Sequence, residues 1–214
     1  DIKFYEGLGT IYDKTQRLRK LSGMVADEFN IKKENAEIAA SISKSDLCSD
    51  LVNEYPDLQG LMGKYFAISQ GFEEDVSNAV SDHYLPLGNN SMPAKKPISY
   101  TVAITDKIDT LVGFFLINEK PTSSKDPFAL RRSAIGLLRT IIDNKLNLKL
   151  RNLISYNIKL FEEQGVKKIN ENSENEILNF LKERMKNILK DKNIKNDIIE
   201  ASVSSYFNDN YFDL

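Results

Sequence analysis

Between Ile98 and Ile117 the chain reads ISYTVAITDKIDTLVGFFLI, a stretch whose only charged members are Asp106, Lys107 and Asp109. At about 100° per residue, Ile104, Ile108, Leu111, Val112, Phe115 and Leu116 cover much of the circumference. Asp106, Asp109, Thr110 and Gly113 share one remaining stripe. A helix that is apolar on most sides has to be enclosed by other elements. This segment is therefore expected to be the central helix, with both carboxylates partly buried. A buried charge is costly unless it is paired and hydrogen-bonded, so the rest of the chain must deliver cations to it.

The flanking sequence supplies helices to do the enclosing. Leu8, Ile11, Tyr12, Leu18, Leu21 and Val25 recur at three- and four-residue spacing, predicting one amphipathic helix. A second is predicted from about Lys32 to Glu54, stopping where Tyr55-Pro56 forbids continuation. Pro56 suits the first turn of a third, which closes near Gly71, and a fourth spans about Glu73 to Tyr84. Residues 86–97, with three prolines, one glycine and two asparagines, form the clearest loop. Asp126-Pro127 predicts an N-cap with proline in the first turn of the next helix. Leu150 to Gln164 is expected to be capped by Gly165, and Ser173 with Glu176 reads as a capping box ahead of Ile177, Leu181, Met185 and Ile188. No internal repeat and no convincing strand pattern is found. The fold class predicted is all-α.

Residues 166–175, VKKINENSEN, are the best candidate linker. They divide a helical domain over 1–165 from C-terminal helices over 166–214, whose apolar faces are thinner. The first residue is Asp1 rather than Met, and the chain reads as a piece of a longer one.

Composition narrows the class. The net charge of −2 predicts no overall attraction to nucleic acid or anionic membrane, so any polyanion must be met by a local patch. The single cysteine, Cys48, cannot form an internal disulfide, which fits a reducing compartment. No apolar run approaches the roughly 20 residues of a membrane span, and no signal-like segment is read. Glycine-rich phosphate cradles and CxxC pairs are absent from the sequence. His83, the only histidine, stands at a helix end beside Tyr84 and is read as a capping or packing residue rather than a catalyst.

The segment after the central helix is dense in basic residues. In its apolar arc are Leu130, Ala134, Leu137, Leu138, Ile141 and Ile142, and Arg131 projects into that arc. Arg131 is therefore expected to pair inward with Asp106 or Asp109. Arg132 and Arg139, seven residues apart, share a flank with Phe128; with Lys125 they are the candidates to meet a phosphate. The bland alternative is that all these charges serve only the fold.

TDKIDTLVGFFLINEKPTSSKDPFALRRSAIGLLR, residues 105–139, closely resembles a signature of the beta subunit of bacterial tetrameric glycyl-tRNA synthetase. LGTIYDKTQRL, KSDLCSDLVNEYPDLQGLMGKYFA and DHYLPL fit the same family in the same order. ILNFLKERMKNILKDKNIKNDIIEASV looks like the approach to that subunit's anticodon-binding region. The resemblance covers nearly the whole chain and is weakest over residues 141–175.

The resemblance implies a cytoplasmic assembly of two alpha and two beta chains. In that family the alpha chain carries the class II site that uses ATP and magnesium to charge tRNA(Gly), and the beta chain supplies tRNA recognition. The present segment resembles a central helical domain related to the HD-type phosphohydrolases. An HD metal site needs several histidines, and only His83 is available. The implication is a domain with no catalytic residue, no metal and no cofactor of its own, partnered by the alpha subunit and tRNA(Gly), away from any membrane. The alternatives are a metal-dependent phosphohydrolase of the HD class and a pure helical scaffold contacting the alpha subunit.

Overall fold

The computed structural model describes residues 2–88 and 90–209. It opens on a small antiparallel ribbon of β1 (Lys3–Tyr5) and β2 (Gly9–Thr10), with Lys3 opposite Thr10. Strands this short carry too few residues for an alternating pattern, which is why the sequence reading missed them. Ten helices follow among the described residues: α1 (Ile11–Glu28), α2 (Lys33–Ile42), α3 (Asp50–Glu54), α4 (Leu61–Ser69), α5 (Glu74–Asp82), α6 (Pro97–Leu116), α7 (Leu130–Asp143), α8 (Leu150–Glu163), α9 (Ser173–Asp191) and α10 (Asn196–Asp209). The molecule is mostly helical, in keeping with the predicted class. No described helix is long and apolar enough to cross a membrane.

Helix α6 is the axis. It packs against α1, α2, α5, α7, α8 and α9, and buries Ile104, Ile108, Leu111, Val112, Phe115 and Leu116. Small residues permit the closest approaches. Ala39 and Ala40 of α2 and Ala79 of α5 pack around Leu18 and Val102. At Gly113 an added Cβ would stand 2.9 Å from the Phe161 ring of α8.

Caps explain where several helices begin and end. Thr10 and Asp13 satisfy each other's backbone N–H at the start of α1, at 3.1 and 2.8 Å. Gly165, at φ +79°, terminates α8, with its N–H donating to the Glu162 carbonyl at 2.9 Å. Asp126 does cap α7, but from further back than predicted: its carboxylate accepts from the N–H of Leu130 (2.8 Å) and of Arg131 (3.0 Å), so α7 starts at Leu130.

Two local expectations are corrected. The single helix over Lys32–Glu54 is broken after Ile42 by a 3₁₀ turn, Ser45–Cys48. The hydroxyls of Ser43, Ser45 and Ser49 bond to nearby carbonyls, and Asp46 turns inward to accept from the Gly60 N–H at 2.6 Å. These bonds compete with a continuous helical ladder. The capping box at Ser173 and Glu176 is likewise absent. Ser173 lies buried inside the first turn of α9, while Glu176 accepts from Lys120 and Asn170.

Residues 166–175 cross the end of α6, where the N–H groups of Ile169 and Asn170 donate to the Leu116 carbonyl. Beyond them, Ile177, Leu181, Met185 and Leu189 of α9 and Ile199 and Val203 of α10 belong to the same buried cluster as Leu111 and Leu137.

Candidate functional site

The two carboxylates of α6 sit at the centre of a buried charge cluster. Asp109 is fully enclosed. The Arg17 guanidinium grips it as a fork, with Nε 2.7 Å from Oδ1 and Nη2 3.0 Å from Oδ2, and Lys14 Nζ adds a contact of 3.0 Å to Oδ2. Arg17 is itself fully buried, stacked on Phe161 and donating to Gln164 Oε1. Asp106 receives Lys14 on Oδ1 and Lys44 on Oδ2, both at 3.1 Å. Burial raises the pKa of both carboxyls, but the surrounding cations outweigh it and hold them below the usual carboxylate range, Asp106 well below.

His83 joins the cluster through Lys44, whose Nζ lies 2.7 Å from Nε2. The opposite nitrogen, Nδ1, lies 2.8 Å from the Val80 carbonyl, which can only accept. Nδ1 therefore carries the proton and Nε2 accepts from the ammonium. Burial, and then the Lys44 charge, push the imidazole pKa well below its ordinary value, so the ring is neutral. The Tyr84 ring covers Lys44 at 4.2 Å. Lys107 turns away from the carboxylates and donates to the carbonyls of His83 (3.0 Å) and Leu85 (2.8 Å). Burial lowers its pKa to about 8, against the opposing pull of Asp106.

Each of the two carboxylates already has cations beside it. The two imidazole nitrogens are both engaged, and the Lys44 ammonium already occupies the space between imidazole and carboxylate that a divalent cation would need. Among the described residues no group of three or more His, Cys, Asp or Glu could hold a metal ion.

Arg131 is not part of the cluster. Helix α7 buries Leu130, Ala134, Leu137, Leu138 and Ile141, and this orientation leaves Arg131 at the surface. There it donates to the Thr122 carbonyl and stands 3.8 Å from Asp126. The cations that neutralise Asp106 and Asp109 come instead from α1 and from the turn after α2. Their signal was present in YDKTQRL: Lys14 and Arg17 are three residues apart, beside the Leu18 and Leu21 positions of an apolar stripe.

The other candidates lie on the outer flank of α7 and the loop before it. Lys125 and Arg132 are exposed, and among the described residues neither side chain has a hydrogen-bond or ion-pair partner. Arg139 is differently employed: Nη1 donates to the Gly88 carbonyl at 3.1 Å and Nη2 to the Ser91 carbonyl at 2.8 Å, bracing the proline-rich loop. Arg132 and Arg139 line one cleft of about 180 Å³ with Pro86 and Ile135. Lys125 stands apart from it.

Known proteins resemble the chain along nearly its whole length. The family described as glycyl-tRNA synthetase beta subunit matches residues 1–204. The chain is 42% identical over 201 residues to the glycine–tRNA ligase beta subunit of Colwellia psychrerythraea, covering 94% of this chain and 29% of that protein. It is 39% identical over 207 residues to that of Rhodospirillum centenum, covering 94% and 28%, and 40% identical over 210 residues to that of Clostridioides difficile, covering 97% and 30%. The chain thus spans less than a third of the length of these relatives. With a match that begins before α1 and runs into α10, and with the central helix and its basic successor both inside it, the chain belongs to the glycyl-tRNA synthetase beta subunit family.

Proposed function

We propose that this chain serves ATP-dependent charging of tRNA(Gly) with glycine as a non-catalytic helical domain. Its role is to provide an RNA-binding surface and assembly contacts in a complex with the alpha subunit in the cytoplasm. ATP and magnesium act at the alpha subunit, and this domain holds no cofactor of its own. The family match across residues 1–204 carries the reading. Exposed Lys125 and Arg132, whose side chains have no partner among the described residues, in a chain of net charge −2 support the RNA-facing part of it. Descent from an HD-type phosphohydrolase is supported by Asp82-His83 at the end of α5 and by Asp106 reaching the same ammonium as His83. In this reading Lys44 has taken over the neutralising role of a metal.

The test uses the reconstituted alpha–beta complex. Lys125→Glu with Arg132→Glu should weaken tRNA binding and lower aminoacylation while glycine-dependent ATP–pyrophosphate exchange and the melting temperature stay unchanged. Unaltered tRNA affinity would remove this flank from the RNA surface.

A further inference from the structure

We infer that the outer face of α4, with the groove that opens beside Leu61, is a docking surface for the alpha subunit, which meets it with a segment whose apolar residues are flanked by lysine or arginine. This rests on the assembly part of the function proposed above and names the surface that carries it.

Helix α4 lies at the edge of the molecule, packed on α5 and on the Ser45–Cys48 turn. The outer face of such a helix is ordinarily polar. Here it carries Leu61, Tyr65 and Ile68, which are 45%, 55% and 48% exposed. At this spacing the three side chains form one stripe. The inner face fixes that orientation. Gly63 and Ala67 are buried, and a Cβ added at Gly63 would stand 2.7 Å from the Val80 side chain of α5. Turning the stripe inward would drive far bulkier side chains into that contact. Single exposed apolar residues are common on protein surfaces, whereas a contiguous stripe marks a contact.

Through Leu61 the stripe continues into a groove of about 510 Å³, lined also by Pro56, Tyr84, Leu85 and Leu87, the last 68% exposed. The charged residues lining it are Asp57 and Asp82, with no lysine or arginine. Asp82 accepts from the hydroxyls of Ser81 and Ser99, which leave its charge in place. The Asp57 side chain is exposed and has no partner among the described residues. Asp50 and Glu54 of α3 add two further exposed carboxylates, and Lys64 is the one cation between residues 49 and 71.

This charge selects the occupant. RNA or an anionic membrane would bring phosphates against carboxylates. A second copy joined through the same face would set one acidic rim on another. A polypeptide with apolar residues for the stripe and groove, and lysine or arginine for the rim, meets no such repulsion; a helix presenting them at three- and four-residue spacing matches α4. Lys125 and Arg132 line no part of this groove, so RNA and the alpha subunit do not compete for it.

The experiment measures assembly of the full-length beta subunit with the alpha subunit at several salt concentrations. Leu61→Asp with Tyr65→Asp should weaken the complex roughly tenfold or more, with the melting temperature of the free beta subunit unchanged. Asp57→Lys alters an exposed side chain with no bond to lose, so it stays readable where the double variant folds poorly. It should weaken the complex roughly fivefold and flatten the decline of affinity with salt. If Asp57→Lys keeps wild-type affinity and the double variant either keeps it or fails to fold, the docking surface is overturned and assembly belongs to another face. A loss confined to the free beta subunit's melting temperature, to its self-association or to tRNA binding overturns it too, assigning the face to the rest of that subunit, to a second copy or to RNA. Wild-type alpha and beta subunits that form no complex overturn the assembly reading and this surface together.

Discussion

The Lys44 ammonium donates to Nε2 of His83 across 2.7 Å, so a lysine and a histidine meet inside the protein with the proton on the lysine. The geometry fixes the sign of the acid response. A histidine whose native pKa is depressed leaves stability intact above its unfolded value near 6.5, and stability is lost as the pH falls below it because only the unfolded chain takes up the proton. Between about pH 6 and 5 the unfolding free energy should fall by about 1.4 kcal/mol per pH unit. Urea titrations across that range should show this slope, and His83→Gln should flatten it. Below it, the lowered pKa values of Asp106 and Asp109 add a further loss as pH drops through the carboxylate range.

Lys107 should produce the opposite trend at alkaline pH. Its native pKa of about 8 lies below the ordinary 10.5, so between those values the unfolded chain holds more protons and stability rises with pH. The expected observation is a gain from pH 8 toward 10 that Lys107→Met abolishes. A Lys107 resonance titrating near 10.5 in the folded protein would refute the placement of its charge.

Asp109→Asn should be among the most damaging single substitutions, because Arg17 and Lys14 would be left buried with half their compensation. Removing one partner of a buried pair costs roughly 3–5 kcal/mol. Arg131→Ala, at the surface, should cost no more than about 1 kcal/mol. Denaturant midpoints for the two variants test the difference directly.

Gly60 has a double requirement. It adopts φ +79°, and a Cβ there would lie 2.7 Å from the Tyr84 ring while its N–H serves Asp46. Gly60→Ala should destabilise by roughly 1–3 kcal/mol. It should also displace Tyr84, read as a change in that residue's aromatic resonances.

Arg139→Gln should act on a loop before it acts on RNA. Losing the bonds to Gly88 and Ser91 frees the segment leading to Pro93, so limited proteolysis between residues 86 and 97 should accelerate.

Much of this was legible from residue order. The enclosure of Ile98–Ile117, the Gly165 cap and the proline-rich loop followed from periodicity and backbone chemistry, which are local. What failed was tertiary. The break after Ile42 depends on Asp46 finding Gly60, and the choice of Arg17 over Arg131 as partner for Asp109 depends on which face of α7 turns inward. A helical wheel places Arg131 and Arg17 equally well beside an apolar stripe; only packing against α6 distinguishes them.

The bonds from Lys44 to Asp106, from Arg17 to Asp109 and from Lys14 to Asp109 close loops of 62, 92 and 95 residues. Contacts this distant along the chain are formed only after a large loss of loop entropy, which slows folding in proportion to contact order. Neither α1 nor α6 can settle with its charges satisfied until the other arrives. Their amide protons should therefore exchange with solvent only through one shared global opening, at a common rate, leaving no partially folded intermediate in which either helix is protected alone.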